Sequence, residues 1–395
     1  MKRIGIVTLL YKNYNYGGLL QAYAIKMQLT KLGFKAEHIS CSGDYMQAKF
    51  RDKLYEKGLI GVFKSLEVHL KKSLKKYHLI KNYKLKNKLE VKRLKCYEFT
   101  KKIGGVGPYN YITIQNCLNK FDIFVTGSDQ VWNPNWHKDA YYLNFVPEDV
   151  PKLSYAASIG KYELNEKELD DIIPKIKRIN KISVRECEAK KILQPYIDQD
   201  IKVVLDPTLL LKQEDWNKIS IENNVNEQYV FVYLLGSNLK HRKKIKNIST
   251  VLGYKILYLP HIHFQYEPAD ENFADIDLYD VGPAEFVGLI KNAEMVITDS
   301  FHGCVFSIIY HKKFWALKRH KDTEKGNMNS RLYTLFSNLG LEERLLDDDQ
   351  KLTKEELLRE IDYEAVDEKL EILRKDSMDF LENALSESVK MIEKN

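Results

Sequence analysis

The 395-residue sequence has few cysteines, no long apolar run and no known nucleotide-binding loop, and each absence excludes something. Its five cysteines, at 41, 96, 117, 187 and 304, are odd in number and form no CxxC pair. Neither a disulfide framework nor a zinc knuckle is therefore expected, and a reducing, cytoplasmic compartment is. The longest apolar stretches, around Val230 to Leu235 and Cys304 to Ile309, fall far short of the roughly 18 residues that cross a bilayer. Lys2-Arg3 followed by Ile4-Gly5-Ile6-Val7 looks like the start of a leader peptide, but the chain turns polar after Leu10 with no small-residue cleavage site. A first buried strand is expected there instead. There is no GxGxxG and no Walker loop, so no dinucleotide or P-loop assignment follows. What is present is ordinary globular composition, 44% hydrophobic and 30% charged, at a length that predicts two or three domains.

The net charge of +7 is unevenly placed. Residues 49–102 hold 18 Lys and Arg against 5 Asp and Glu, a local +13 that leaves −6 on the rest of the chain. Apolar residues recur through that segment at helical spacing (Leu59, Phe63, Leu66, Leu70, Leu74, Tyr77, Leu85, Leu89, Leu94). One or two cationic amphipathic helices inserted in the first domain are expected. Three readings stand for the insertion. It is a solvated excursion over the active-site mouth, or a peripheral patch drawn to anionic lipid or a lipid-linked substrate at the inner face of the cell membrane, or a nucleic-acid surface. The last is disfavoured, because no nucleic-acid-binding motif accompanies the charge.

Elsewhere the pattern alternates between strands and helices. A strand over Arg3 to Leu10, a helix over Leu19 to Leu32 ended by Gly33, and a strand over Phe34 to Ser40 form a βαβ unit. Strands are expected at 121–126, 153–157, 181–184 and 201–205, with a helix between Asn165 and Ile179. A second series runs strand 229–235, helix 239–252, strand 254–259, helix 283–292, strand 294–298, helix 301–310 and strand 313–317. The fold class is α/β: two doubly wound, Rossmann-like domains over 1–210 and 227–340, joined near Thr208 to Asn226. A helical tail over 352–395, with Val366, Leu370, Ile372, Leu373 and Phe380 as its apolar stripe, is expected to pack back on the body. Open α/β sheets bind ligands outside the carboxyl ends of their strands, so the active site is expected between the domains.

Several loops at those strand ends carry chemistry. Asn15-Tyr16-Gly17-Gly18 opens the first helix, where free N–H groups can hold an anion, or where a tight turn simply needs glycine. Gly127-Ser128-Asp129 and Trp132-Asn133 share a loop after a buried strand, either a site for a ligand or an Asx-turn with a Trp anchor. Arg185 ends a strand, where its fork suits phosphate or carboxylate, or a structural ion pair with Glu188 or Asp206. Ser154 to Gly160 is a small-residue strand end, open equally to ligand approach and to close packing. Asp299-Ser300-Phe301-His302-Gly303 places a histidine in the first turn of a helix, where an anionic ligand would balance an imidazolium, and this suits a group that exchanges protons. Arg319 and Arg331 flank a Gly/Asn loop and suit a doubly charged anion or a solvated face. His261 and His263 have no third ligand nearby in sequence, so no metal is expected.

In order and spacing, Asn15-Tyr16-Gly17-Gly18, Thr126-Gly127-Ser128-Asp129-Gln130-Val131-Trp132, Tyr155-Ala156-Ala157-Ser158, Ser183-Val184-Arg185, Asp206-Pro207-Thr208 and Thr298-Asp299-Ser300-Phe301-His302-Gly303 resemble the polysaccharide pyruvyl transferase family over roughly residues 4–335. The resemblance implies a fold similar to GT-B glycosyltransferases and a place in exopolysaccharide or cell-envelope synthesis. It implies phosphoenolpyruvate as co-substrate and no other cofactor, with pyruvate transferred as a ketal onto a sugar or lipid-linked oligosaccharide acceptor. His302 is then the acid/base and Asp129 a catalytic residue that steers a sugar hydroxyl. Arg185, Arg331 and Arg319, with Ser300, Gly303, Asn15, Gly17 and Gly18, are the donor-binding set. Tyr16, Gly127, Ser128, Trp132 and Asn133 line the acceptor crevice. One position departs from the family pattern: an arginine commonly stands where this chain has Ser300. Either Arg319 or Arg331 supplies that charge, or the donor differs. The alternatives are a GT-B glycosyltransferase using a nucleotide sugar and a noncatalytic glycan- or membrane-binding module.

Overall fold

Short, wholly buried apolar strands separated by helices assemble into two parallel sheets in the computed structural model, as expected where helices cover both faces of a sheet. The structure describes residues 1–42, 83–136, 139–222, 225, 227–260, 267–322 and 327–394. The first sheet contains β1 (Arg3–Val7), β2 (Lys35–Cys41), β3 (Gly105–Tyr109), β4 (Ile123–Thr126), β5 (Lys152–Ala157), β6 (Lys181–Val184) and β7 (Lys202–Val203), in the order β3-β2-β1-β4-β5-β6-β7. The second contains β8 (Tyr229–Leu234), β9 (Lys255–Pro260), β10 (Ile276–Asp277), β11 (Met295–Thr298), β12 (Lys313–Leu317) and β13 (Leu345–Leu346), in the order β10-β9-β8-β11-β12-β13. Each sheet is built outward from its first strand and reverses beside it, between β1 and β4 and between β8 and β11. The expected doubly wound α/β class holds for both.

The helices are α1 (Tyr16–Lys31), α2 (Tyr83–Ile103), α3 (Glu166–Ile176), α4 (Cys187–Leu193), α5 (Pro207–Leu210), α6 (Gln213–Asn217), α7 (Leu239–Leu252), α8 (Pro283–Lys291), α9 (Phe301–Ile309), α10 (Ser330–Leu339), α11 (Lys354–Leu358) and α12 (Tyr363–Lys394). α1 starts three residues before its apolar periodicity does, because the Asn15 side chain caps it by accepting from the Gly18 N–H at 3.2 Å. β3 was not expected: its Gly-Val-Gly-Pro-Tyr sequence reads as a loop, and it forms a strand by pairing with β2 at the sheet edge. The two-residue strands β10 and β13 carry too little pattern to be read.

Of the basic insertion, residues 49–82, with the expected apolar positions Leu59, Phe63, Leu66, Leu70, Leu74 and Tyr77, lie outside the described residues, while α2 is the expected helix over its remainder. α2 buries Leu85, Leu89, Lys92, Cys96, Phe99 and Ile103 and leaves Leu94 54% exposed, correcting Leu94 as a member of the apolar stripe. Its buried face meets both halves of the molecule. Lys92 lies 4.6 Å from the Tyr16 ring centroid, and Lys95 pairs with Glu285 of α8 at 2.6 Å.

The tail does pack back. α12 buries Val366, Leu370, Leu381 and Leu385, whereas Ile372 is 64% exposed, since two residues from Leu370 is about 200° around a helix. The Tyr363 hydroxyl donates to the Lys312 carbonyl at 2.5 Å beside the second sheet. Farther along, Arg374 Nε donates to the Leu209 carbonyl at 2.6 Å and Lys181 of the first sheet pairs with Glu387 at 2.8 Å. Among the described residues no helix is long and apolar enough to cross a membrane.

Candidate functional site

The loops after β1, β4, β8 and β11 emerge at the two points where strand order reverses, which is where doubly wound sheets open a crevice. Asp299, after β11, ties two of them together: its carboxylate accepts from the Leu235 N–H at 2.6 Å and the Gly236 N–H at 2.9 Å after β8. That brace fixes the start of α9, and with it His302 in the first helical turn. His302 is 6% exposed, and its ring packs against Gly17 in the first turn of α1, from the other sheet. A Cβ on Gly17 would overlap the imidazole, so glycine here provides space and not a turn.

His302 Nε2 lies 3.6 Å from the Asp206 carboxylate and makes no hydrogen bond among the described residues. Asp206 is 1% exposed and fully engaged. Oδ1 accepts from the Thr208 N–H at 3.0 Å and hydroxyl at 2.6 Å, and Oδ2 from the Ser128 hydroxyl at 3.1 Å and Arg185 Nη1 at 2.6 Å. Burial opposes its ionisation, but His302 and Arg185 outweigh that and hold its carboxyl well below the usual range.

Arg185 also reaches Glu186 at 3.3 Å and Asp129 at 3.4 Å, and lies over the Phe301 ring at 4.6 Å. Burial disfavours its charge, yet Glu186, Asp206 and Asp129 raise its pKa above the ordinary value. The sequence offered Glu188 or Asp206 as structural partners for Arg185, and the structure selects Asp206. Arg331 is its opposite. Burial and the neighbouring charges of Arg319 and Arg185 lower it to about 10. Its Nε donates to the Met328 carbonyl at 3.4 Å, and Arg319 Nε is buried with no hydrogen-bond partner. Among the described residues neither Arg319 nor Arg331 pairs with a carboxylate. Arg185, Asp206, Phe301 and Arg331 together line a cavity of about 70 Å3. Arg185 and Arg331 thus share a cavity with Asp206, the partner of His302, and among the described residues only Arg185 of the three arginines is paired with carboxylates.

Several expected site residues have other work. Tyr16 is buried between the halves, stacked on Phe286 at 5.1 Å and donating to the Val281 carbonyl at 2.9 Å, so it is a joint residue and not part of an open crevice. Trp132 is buried with its indole N–H on the Tyr141 carbonyl at 3.2 Å, which makes it the anchor of its loop. Asn133, 2% exposed, accepts from the Asn135 N–H at 3.0 Å in an Asx-turn. Ser128 is buried, holding Asp206, and Gly127 abuts the Tyr155 carbonyl. Ser300 caps α9 by accepting from the Gly303 N–H at 3.3 Å, so that N–H is already engaged, and Gly303 leaves room for Thr298. Asn15 engages the Gly18 N–H in the same way. The small residues of β5 serve packing: Ser154 and Ser183 exchange hydrogen bonds between strands. Asp129, with φ +62°, stays at the site through Arg185. His261, His263 and Gly326 lie outside the described residues.

Asp206 is the residue that sequence reasoning undervalued. Its signal was an Asp-Pro after a strand, which also reads as an ordinary helix cap. The spacing of this site along the chain decides the family. A family model for polysaccharide pyruvyl transferase matches residues 15–321, from the cap of α1 past Arg319. The chain belongs to the polysaccharide pyruvyl transferase family and is thereby a transferase. No curated protein matches it. Among solved structures it is similar to UDP-GlcNAc 2-epimerase from Methanocaldococcus jannaschii, at 16% identity over 94% of this chain and 92% of the other, TM-score 0.48. It is also similar to UDP-GlcNAc 2-epimerase from Neisseria meningitidis bound to UDP-GlcNAc, at 10% identity over 100% of each chain, TM-score 0.47. A third is the glycotransferase of kitacinnamycin, at 10% identity over 96% and 95%, TM-score 0.41.

Proposed function

We propose that this member of the family moves pyruvate from phosphoenolpyruvate onto two hydroxyls of one sugar as a ketal, with His302 as acid/base. The observation that carries the reading is a buried histidine 3.6 Å from Asp206, in a site region that also holds Arg331 and Arg319, neither of which forms an ion pair with a carboxylate among the described residues. Phosphoenolpyruvate carries a phosphate and a carboxylate, and Arg331 and Arg319 offer planar, charged forks for both. They supply the cation that Ser300 does not.

The chemistry then follows from the groups at hand. Protonated His302 gives its proton to the methylene carbon, which becomes the methyl group, and the carbon bearing phosphate turns electrophilic. A sugar hydroxyl adds there and its proton returns to His302, with Asp129 steering the hydroxyl. The C–O bond to phosphate breaks, the second hydroxyl closes the ring, and its proton leaves with inorganic phosphate. The Asp206 carboxylate gives the protonated ring a negative partner in a buried site. The acceptor is a sugar of a polysaccharide or of its lipid-linked precursor in cell-envelope or exopolysaccharide synthesis.

Thermal unfolding tests the donor. A ligand that binds only the folded chain raises its melting temperature. Millimolar phosphoenolpyruvate is expected to do so where pyruvate, phosphate and a uridine nucleotide do not, and His302→Ala is expected to retain that shift while losing phosphate release. A shift with the nucleotide alone would overturn the reading in favour of a nucleotide-sugar transferase.

A further inference from the structure

The β1–α1 loop that brings Gly17 to His302 also forms one wall of a second, larger cavity. Residues 10–14 of the loop, the outer face of α2 and the edge strand β3 enclose about 730 Å3, within the roughly 300–1,000 Å3 range of small-molecule sites. It lies beside the carboxyl ends of β1 and β2. Three tyrosines line it, and a cation stands over each ring: Lys12 at 5.3 Å from the Tyr11 centroid, Arg93 at 5.8 Å from Tyr14 and Lys101 at 4.6 Å from Tyr97. Glu90 pairs with Arg93 at 3.1 Å and is the one carboxylate among the described lining residues. Lys12 and Lys101 pair with no carboxylate among the described residues, and the described lining residues carry a net positive charge.

That combination restricts the occupant. Tyrosine offers an apolar ring with a polar edge, which matches a sugar, whose C–H faces and hydroxyls alternate. Lys12 and Lys101 favour an occupant that carries negative charge, and the tyrosines favour one that also presents C–H faces and hydroxyls. We propose that this cavity holds an anionic saccharide unit of the acceptor, adjacent to the sugar that receives pyruvate. The proposal rests on the pyruvyl-transfer reading of the His302 site. The anionic group is a phosphate ester or a uronate carboxylate, since a lysine and tyrosine lining recognises both.

Ligand-observed saturation-transfer NMR on the full chain tests this, with N-acetylglucosamine 1-phosphate, glucuronic acid and neutral N-acetylglucosamine as probes. At least one anionic probe is expected to bind about fivefold or more tighter than the neutral sugar, and the tighter of the two identifies the anion. Lys101→Glu is expected to erase that preference, and Tyr97→Ala to weaken the anionic and neutral probes alike. Both side chains are exposed on α2, so both variants are expected to keep the wild-type melting temperature. Absence of binding by every probe would overturn the proposal. So would binding indifferent to both substitutions, or displacement of the sugar by phosphoenolpyruvate. The same samples are melted with phosphoenolpyruvate. If it stabilises none of them while an anionic sugar still binds through Lys101, the donor reading fails and the cavity assignment stands.

Discussion

Arg185 and Arg331 carry the same side chain, line the same small cavity and look alike in the sequence, yet they live in opposite electrostatic surroundings. Arg185 pairs with Asp206, Glu186 and Asp129, while Arg331 makes no such pair among the described residues and feels the like charges of Arg319 and Arg185 more strongly than the carboxylates of Asp129 and Glu186. The first is a structural cation whose charge is already answered. The second is held near like charges in a half-buried place, an arrangement that an arriving dianion would relieve. In the proposed reaction the donor's charge is met from the side of the second sheet, while the first sheet supplies the carboxylates that hold its own arginine, with Asp206 among them facing His302.

Exchanging the two arginines for alanine separates these roles. Arg185→Ala leaves three carboxylates without their shared cation and is expected to destabilise the fold by about 3–5 kcal/mol, measured by urea unfolding. Arg331→Ala is expected to change stability by less than about 1 kcal/mol, because it removes repulsion as well as packing, while abolishing the melting shift with phosphoenolpyruvate. Equal losses of stability in the two would break the comparison.

Asp206→Asn comes next in size, at about 2–4 kcal/mol near neutral pH, since it leaves the buried Arg185 without its closest counter-charge. Its pH dependence has a definite sign. A carboxyl depressed in the folded state contributes stability that is complete above its unfolded pKa of about 3.9 and is lost as pH falls toward the folded value. The gap between wild type and variant is thus expected to close on acidification below about pH 4, read from urea midpoints across pH 2 to 7. Gly17→Ala is a smaller and more local change. The added methyl must push the His302 ring from its place, so phosphate release is expected to fall about 10- to 100-fold with the melting shift by phosphoenolpyruvate retained.

These contrasts also mark what the sequence could reveal. The two βα series were legible because parallel strands buried on both faces are continuous apolar runs, as in Val230 to Leu235, and because Asn238 and Gly253 bound α7 with a cap and a left-handed residue. Arg185 was legible as a charged group at a strand end, and His302 and Arg331 as polar groups at helix starts. What those groups face was not. Asp206 and Arg185 are separated by 21 positions and meet only because β6 and β7 are neighbours. Trp132 and Tyr16 share polar loops with site residues, and only burial distinguishes an anchor from a contact. The glycines of α1 illustrate the limit: Gly17 serves a ring 285 residues away in sequence, a pairing no local pattern records.

The smallest effect lies in the second sheet and has the opposite sign to Asp206. Asp277, in β10, has a buried Oδ1 without a hydrogen-bond partner. Burial first, and then the nearby charge of Asp270, raise it to about 6. A carboxyl raised in the folded state contributes stability that is complete below its unfolded pKa of about 3.9 and is lost as pH rises through the folded value. Wild type is therefore expected to lose stability between about pH 4 and pH 6 at this position, and Asp277→Asn, neutral throughout, is not. The variant should be the more stable protein at pH 7 by about 1 kcal/mol, a figure reduced for solvent screening of a half-buried group, and the advantage should vanish near pH 4. Asp206→Asn loses most at the pH where Asp277→Asn gains most, so one pair of urea titrations distinguishes a carboxylate that the site uses from one that the fold merely tolerates.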